Sequence, residues 1–384
     1  MVTANHYENR KNATPMLSRV ADSLYWMSRY VERGENIARI LDVNLQLMLD
    51  LPKLGAEQEK KIWDPVLRST GDHEDFDKHY QATTADNVID FLTLNKKNPN
   101  SIFNCITTAR ENARHVREQI SLEMWEEINR TYLWMKGQTL KKIQKQGPYD
   151  FFCEVKNASH LFQGITDGTM THGEDWDFIQ VGKYLERGDM VTRILDANDE
   201  IFINAPASLM NGGTLQWSAI LRSCSSHDAY RKFYVAQVEP DKVVEFLILN
   251  ELFPRSIRFC VGALDVALRR ISGTQEERFT NQAEKLSGRL VAELNYSALE
   301  DIKTVGMHTY MDELQVKLNA IGEAIFQTYL FSPPLPEHDP APAAETKLEA
   351  KSEVTAEQKQ ESKQDGQSPR KSSQTQRIPR PAKV

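Results

Sequence analysis

Two stretches of the sequence, 154 residues apart, resemble each other closely enough to constrain the architecture of the whole chain. Residues 30–44 read YVERGENIARILDVN and residues 184–198 read YLERGDMVTRILDAN, so nine of the fifteen positions are identical. The match continues in the same order as far as Cys105 and Cys260, where the shift has grown by one residue. This period is too long for a solenoid repeat. It predicts two copies of one domain, paired about an internal pseudo-twofold axis.

Helical periodicity runs through both copies. The first long segment carries apolar residues at three- and four-residue steps, which is the stripe of an amphipathic helix: Leu17, Val20, Leu24, Met27 and Val31. The dipeptides Asn98-Pro99 and Phe253-Pro254 each open another helical pattern, and the last helix is expected over residues 295–331. No segment alternates with the period of two that strands require. The sequence therefore predicts an all-α, internally duplicated helical bundle.

Composition divides the chain into folded and unfolded parts. Eight of the 16 prolines lie at or beyond Pro333, in a stretch that contains no aromatic residue. Such a segment buries too little apolar surface to offset the entropy of ordering it. We therefore expect a disordered tail over residues 333–384 and a short disordered arm over residues 1–13. The two helical copies are expected at residues 14–150 and 151–332, packed together as one unit.

Charge and cysteine usage exclude several classes of protein. A net charge of −7 lacks the basic excess that phosphate-dominated nucleic-acid binding needs. No apolar run approaches the roughly 20 residues that span a bilayer, and the first residues lack the apolar segment of a signal peptide. The four cysteines form no CxxC pair, so a zinc ribbon is not expected. We expect a cytoplasmic protein with no membrane or nucleic-acid partner, and we assign no residue as a metal ligand.

Each repeated helix carries a row of polar and charged residues in line with its apolar stripe. Counting 100° per residue places the members of a row within about 80° of one another. The first row comprises Ser28, Glu32, Glu35, Arg39 and Asp42, and the second comprises Gly182, Glu186, Asp189, Arg193 and Asp196. Glu35–Arg39 and Asp189–Arg193 have the i,i+4 spacing of helical ion pairs. Carboxylates beside a core-facing stripe are costly unless they find partners.

Three interpretations of these rows stay open at this stage. They form a salt-bridged network that fixes two buried helices, or they recognise a substrate or partner, or they supply metal-binding or acid–base chemistry. Neighbouring side chains on a helix point about 100° apart. We therefore expect Glu32 to face the interface between the copies and Arg33 to reach a carboxylate on another helix, with Glu186 and Arg187 behaving likewise. Gly34 and Gly188 lie mid-helix, where glycine usually permits a close approach.

A second candidate surface lies in the first copy. Arg110, Arg114 and Arg117 fall on one helical face, flanked by Glu111. Only Arg114 keeps its counterpart in the second copy, at Arg269. The face is either a binding surface or an ordinary solvated one. No Gly-rich phosphate loop and no nucleophile with a base at recognisable spacing occurs in the chain.

Three segments resemble the signatures of the bacterial alpha-E family, which is helical and has a characteristic Glu-Arg motif. The first, residues 16–42, contains Glu32-Arg33, and the motif returns at Glu186-Arg187. The second spans residues 109–129 and the third reads QGITDGTM over residues 163–170. The family often has alanine after Glu-Arg, where this chain has glycine. The second and third segments add Asn112 and Asp167 to the candidate binding residues.

The resemblance implies which proteins this chain works with, rather than which reaction it carries out. Members tend to be encoded beside, or fused to, a circularly permuted ATP-grasp ligase and a transglutaminase-like cysteine protease. This implies an accessory or substrate-binding role in peptide or amide-bond synthesis or modification, with ATP and magnesium bound by a partner and no cofactor on this chain. An enzyme that acts on an amine or peptide through a carboxylate-rich site between the copies, and a purely structural module, are the alternatives.

Overall fold

The structure, a computed structural model, confirms the all-α prediction for the part of the chain that it describes. Every regular element in that part is helical. The described residues are 16–49, 55–199, 212–235, 237–275 and 278–331. The predicted arm over residues 1–13 and the predicted tail over residues 333–384 lie outside them. No helix in these ranges has the length and apolar character needed to cross a lipid bilayer.

Sixteen α-helices occur in the described ranges. The first eight are α1 (Ser18–Leu49), α2 (Ala56–Thr70), α3 (His73–His79), α4 (Ala85–Thr93), α5 (Ile102–His115), α6 (Leu122–Lys136), α7 (Leu140–Gln146) and α8 (Pro148–Thr169). The others are α9 (Glu174–Ala197), α10 (Gly212–Ser223), α11 (His227–Tyr234), α12 (Pro240–Leu249), α13 (Ile257–Ser272), α14 (Gln282–Tyr296), α15 (Leu299–Val305) and α16 (Met307–Ile325). A π-helical turn over Phe326–Leu330 follows α16.

Side-chain caps set where two of the predicted helices begin. The hydroxyl of Ser101 accepts a hydrogen bond from the backbone N–H of Asn104, and α5 begins at the next residue, Ile102. Ser256 caps α13 in the same way through the N–H of Phe259. Both helices therefore start three residues after the Asn-Pro or Phe-Pro dipeptide, because the serine satisfies a donor left free in the first turn.

The prediction of one long helix over residues 295–331 is wrong. The chain turns between α14 and α15, and again at Gly306, whose φ of +91° is a left-handed conformation that favours glycine. The end of α14, the helices α15 and α16 and the π-helical turn therefore replace the predicted helix, because the apolar periodicity continues across turns that interrupt the backbone hydrogen bonding.

Two sets of four helices pack in the same order. In the first set α1 packs on α5 and α8, and α6 packs on both of these. In the second set α9 packs on α13 and α16, and α14 packs on both of these. The two long helices α1 and α9 also pack on each other, so they form the centre of the molecule. The predicted division between residues 150 and 151 falls in the first turn of α8, which packs with the first set.

Short helices cross from one set to the other. Helix α2 packs on α9, and α10 packs on α1. Each anchors a fully buried tryptophan, Trp63 on α2 and Trp217 on α10. The two sets are therefore bound together by exchanged helices as well as by the contact between α1 and α9. All described helices belong to one compact unit.

Gly182 marks the closest approach of α1 and α9. A Cβ at this position would overlap the carbonyl oxygen of Tyr25 and would lie 3.2 Å from Cβ of Ser28. Gly34 and Gly188 accommodate side chains from neighbouring helices. A Cβ at Gly34 would lie 3.5 Å from that of Cys105, and one at Gly188 would lie 3.3 Å from that of Cys260. The neighbour is thus a small buried cysteine of α5 or α13.

Candidate functional site: a buried Glu-Arg cluster

Glu32 lies at the centre of the contact between α1 and α9 and is fully buried. Arg187 of α9 binds it with two parallel hydrogen bonds, Nε to Oε1 at 2.8 Å and Nη2 to Oε2 at 2.9 Å. Arg255 donates from Nη1 to Oε1 at 2.7 Å, and Gln163 of α8 donates from Nε2 to Oε2 at 2.9 Å. Both carboxylate oxygens therefore have two donors each.

Glu186 mirrors this arrangement on the other side of the same contact. Arg33 of α1 donates from Nε to Oε1 at 2.6 Å and from Nη2 to Oε2 at 3.0 Å. Arg29 adds a third hydrogen bond, from Nε to Oε2 at 2.8 Å. Each Glu-Arg motif thus supplies its carboxylate to the arginine of the other motif. The prediction that Arg33 and Arg187 reach carboxylates on another helix is confirmed.

Glu35 and Arg39 extend the cluster along α1. Arg39 donates to both oxygens of Glu35, so the predicted i,i+4 pair forms, and its Nη1 reaches the carbonyl oxygen of Ser223 on α10 at 3.2 Å. Arg255 bridges the two carboxylates by donating to Glu35 at 3.1 Å as well as to Glu32. Arg255 and Arg39 also contact the amide oxygen of Asn36 at 3.3 Å.

The guanidinium groups keep these carboxylates ionised. Burial by itself raises the pKa of Glu32, but the charges of Arg187 and Arg255 outweigh it and lower the pKa to about 2. Burial is likewise outweighed at Glu186 by Arg33 and Arg29, which lower its pKa to about 2. The pKa of Glu35 also falls well below its usual value. Carboxylates held this way neither release nor take up protons near neutral pH, so the arrangement does not suit them for acid–base catalysis.

These pKa shifts predict acid sensitivity. The folded pKa of Glu32 and Glu186, about 2, lies below the usual value of 4.5, so the unfolded chain takes up protons first as the pH falls. Their stabilisation is complete above about pH 5 and is lost progressively as the pH falls toward 2. At 1.36 kcal/mol per pKa unit each contributes roughly 3 kcal/mol. Urea unfolding at pH 7, 5, 4 and 3 measures this loss, and a flat profile from pH 5 to pH 3 would contradict it.

The other members of the two predicted rows lie apart from the cluster. Asp42 binds Lys156 of α8 at 2.6 Å, and Asp196 contacts His308 of α16. Asp189 forms the predicted pair with Arg193 at 2.8 Å. Asp42 and Asp196 therefore tie α1 and α9 to neighbouring helices, whereas the pair of Asp189 and Arg193 lies within α9. In the described ranges, no group of three or more His, Cys, Asp or Glu side chains is arranged to hold a metal ion.

The predicted arginine face lies away from the cluster, and the prediction of one helical face is wrong for Arg117: Arg110 and Arg114 lie on α5, but Arg117 lies in the turn that follows it, because the helix ends at His115. The guanidinium of Arg110 lies over the rings of Trp125 and Tyr132 at 5.4 and 4.7 Å, and that of Arg117 lies over Trp125 at 4.7 Å. Glu111 binds both Arg110 and Arg114. Asn112 donates to the carbonyl oxygen of Thr108, within its own helix. Asp167 is 72% exposed at the C-terminal end of α8.

Comparison with known proteins decides the family. The alpha-E family, described as a predicted alpha-helical domain with a conserved ER motif, matches this chain over residues 16–330. The chain belongs to the alpha-E family. The ER motif of that description is present twice here, at Glu32-Arg33 and Glu186-Arg187, where the two copies of the motif bind each other.

Curated relatives of this alpha-E chain occur in mycobacteria. An uncharacterised protein of Mycobacterium bovis and one of Mycobacterium tuberculosis strain CDC 1551 are each 24% identical over 319 residues, which is 79% of this chain and 35% of the relative. A protein of Mycobacterium tuberculosis strain H37Rv is 23% identical over the same share. The chain therefore spans about a third of the length of the relatives it matches. No solved structure matches it.

Sequence reasoning missed three residues that complete the alpha-E cluster: Arg29, Gln163 and Arg255. The sequence does distinguish Arg255, because the match between the two stretches pairs this charged residue with the uncharged Asn100. Asn100 has a different role and accepts a hydrogen bond from Arg33 at 3.0 Å. Arg29 also has a counterpart in the repeat, Lys183, so a basic residue precedes both Glu-Arg motifs by one turn.

Proposed function

We propose that this alpha-E chain is an accessory, substrate-binding component of an ATP-grasp-linked system that forms or modifies peptide or amide bonds. The family resemblance supports this setting, since alpha-E proteins tend to be encoded beside or fused to such ligases. The length of the curated relatives, about three times the matched stretch, fits a module that works as part of a larger assembly.

The arginine face, formed by α5 and the turn after it and stacked on aromatic rings of α6, is the observation that carries the proposal. Arginine and tryptophan are enriched where proteins contact one another, and here they are stacked in fixed positions. At the matching place in the second set, Arg269 is instead buried, binds Asp265 at 2.7 Å and donates to the carbonyl oxygens of Gln275 and Arg278. In the second set this position is thus filled by the chain itself, whereas in the first set it stays accessible to a partner.

The proposal includes the predicted duplication. The two sets of helices make the same pattern of contacts, and matching positions of the repeat supply the exchanged Glu-Arg pairs. We infer that the pseudo-twofold arrangement keeps the cluster as a shared structural centre, with recognition left to the surfaces around it. The alternative of an enzyme that works through these carboxylates loses support, because every carboxylate in the cluster is bound by at least two guanidinium groups.

Binding to the partner tests the proposal. The purified ATP-grasp protein encoded beside the gene is passed over the immobilised full chain at physiological salt. We expect a stable complex that weakens about tenfold or more in the double variant Arg117→Ala/Trp125→Ala, because the stacked pair sits on the exposed face. The double variant Lys141→Ala/Trp134→Ala, on α6 and α7, is the matched control and should bind normally.

Absence of a complex with the wild-type chain would refute the accessory role. A complex that both double variants retain would leave the accessory role in place but remove the arginine face from it. A transglutaminase-like protein from the same neighbourhood, tested in the same way, serves as the second partner that the family resemblance implies.

A further inference from the structure

A polar cavity of about 240 Å³ lies beside the buried cluster, between α1, α8 and α9. Its wall includes the third signature segment of the chain, which supplies Gln163 and Asp167. The side-chain amide of Gln163 is already hydrogen-bonded within the cluster, because its Nε2 donates to Glu32 and its Oε1 accepts from Arg187. The cavity is smaller than the roughly 300–1,000 Å³ of sites for drug-sized ligands, so a small molecule fits it better.

Two buried donors face this cavity without a partner. Gln180 is 4% exposed and Ser28 is 5% exposed, and both line the cavity wall. Within the described ranges neither side chain makes a hydrogen bond to another residue. A buried amide or hydroxyl group that goes unpaired is costly, so its partner is expected from solvent or from a ligand.

Lys183 adds a positive charge to the same wall. Its ammonium group lies 4.5 Å from the ring centre of Tyr184 and has no hydrogen-bond or ion-pair partner among the residues that the structure describes. Burial, followed by the charge of Arg187, lowers the pKa of Lys183 to about 8. Glu32, Asp167 and Cys260 act in the opposite direction but do not overcome these effects. The ammonium group of Lys183 is still mostly protonated at neutral pH and can therefore bind an anion.

Asp167 supplies the opposite charge at the edge of the cavity. Its side chain is 72% exposed, and Nε2 of His172 lies 3.6 Å from its Oδ1. Hydrogen-bond donors therefore line one part of the wall, while the carboxylate of Asp167, which can accept further hydrogen bonds, lies at the solvent side. This polarity matches a molecule that carries a carboxylate at one end and an ammonium group at the other.

The matching cavity on the other side of the contact lacks these free groups. It has a volume of about 340 Å³ and includes Arg29 and Trp26, which occupy the repeat positions of Lys183 and Gln180. Arg29 is already bound to Glu186, and the counterpart of Ser28 is Gly182. Of the two cavities, the one beside Lys183 is therefore the one whose wall has a lysine, a serine and a glutamine side chain without a partner among the described residues.

We propose that the cavity beside Lys183 binds a small zwitterion of the amino-acid class, with its carboxylate on Lys183, Gln180 and Ser28 and its ammonium group on Asp167. This inference rests on the proposed function, for which it names the substrate class. An amino acid or short peptide is the amine- and carboxylate-bearing reactant that an amide-forming system consumes.

Binding to the isolated full chain tests the inference without any partner. Calorimetry is run at pH 7 with L-glutamate, L-alanine and glycylglycine. Acetate, methylammonium and inorganic phosphate, which carry charge of one sign only, are the comparison compounds. We expect saturable binding at one site by at least one zwitterion, and binding at least about tenfold weaker for every comparison compound. Because no ligase is present, a negative result here is independent of the partner experiment.

Variants identify the site. Lys183→Met and Asp167→Asn should each weaken binding by about tenfold or more, since each removes one of the two charges. Lys136→Met is the matched control, because Lys136 also lies over a tyrosine ring, that of Tyr132 at 5.6 Å, but on a different surface. Binding should also fall as the pH rises above about 8, when Lys183 loses its proton.

Three outcomes would overturn the inference. No saturable binding by any zwitterion would do so. Phosphate or acetate binding as tightly as the zwitterions would make the cavity a simple anion site. Binding unchanged in both Lys183→Met and Asp167→Asn would place the ligand elsewhere. Circular dichroism of each variant first establishes that it remains folded.

Discussion

Replacing Glu32 with glutamine should lower the free energy of unfolding by about 3–5 kcal/mol, the usual cost of removing one partner from a buried ion pair. Glu32 accepts charged hydrogen bonds from Arg187 and Arg255, and all three residues are buried. A glutamine has a similar shape, but it leaves Arg187 without a carboxylate partner and removes one of the two carboxylates that bind Arg255. Denaturant unfolding at pH 7 gives the change directly.

Glu111 provides the matched control for this experiment. It also binds two arginines, Arg110 and Arg114, but it is 41% exposed. Because exposed ion pairs contribute only about 0–1 kcal/mol, Glu111→Gln should change stability little. A similar small loss for both variants would show that the buried cluster does not stabilise the contact between α1 and α9.

Replacing Gly182 with alanine should also lower the free energy of unfolding. The new Cβ would overlap the carbonyl oxygen of Tyr25, which is backbone and cannot rotate away. Overpacking of this kind typically costs about 1–3 kcal/mol, even though alanine favours a helix more than glycine does. Helices α1 and α9 would have to move apart, which also lengthens the hydrogen bonds between the two Glu-Arg motifs.

Gly262→Ala on α13 separates packing from helix propensity. A Cβ at Gly262 would meet no atom within 4 Å, so this change should stabilise the chain by about 0.5–1 kcal/mol. Opposite signs for the two glycine variants are the expected result in thermal unfolding. If Gly182→Ala were also stabilising, the close approach of the two long helices would be absent in solution.

Local patterns in the sequence were sufficient to predict that the described part of the chain is helical and that the Glu and Arg side chains of each motif point in different directions. The 3.6-residue period placed Glu32 and Arg33 about 100° apart, and this angle alone required different partners for them. The serine caps at Ser101 and Ser256 are also visible in the sequence, although the Pro dipeptides suggested starts three residues earlier. The i,i+4 pair of Glu35 and Arg39 follows directly from spacing.

Such local patterns could not predict contacts between helices that are far apart in the sequence. Arg255 joins Glu32 across 223 residues, and no spacing rule gives that distance. The turn at Gly306 was hidden because apolar residues keep a helical period on both sides of it. The cavity beside Lys183 depends on three helices meeting, so Gln180 carried no signal in the sequence and Ser28 was predicted only as a member of the first polar row.

The exchange of partners between the two Glu-Arg motifs has a consequence for how the chain reaches its native state. The ion pairs Arg33–Glu186 and Glu32–Arg187 join residues 153 and 155 positions apart. During synthesis, α1 therefore leaves the ribosome before α9 has supplied Glu186 and Arg187, the partners of Arg33 and Glu32. Contacts at such long range make folding slow, and they leave the first half without its native core until the second half arrives. A chaperone that shields α1 during this interval should raise the yield of folded protein more than one that acts on the completed chain.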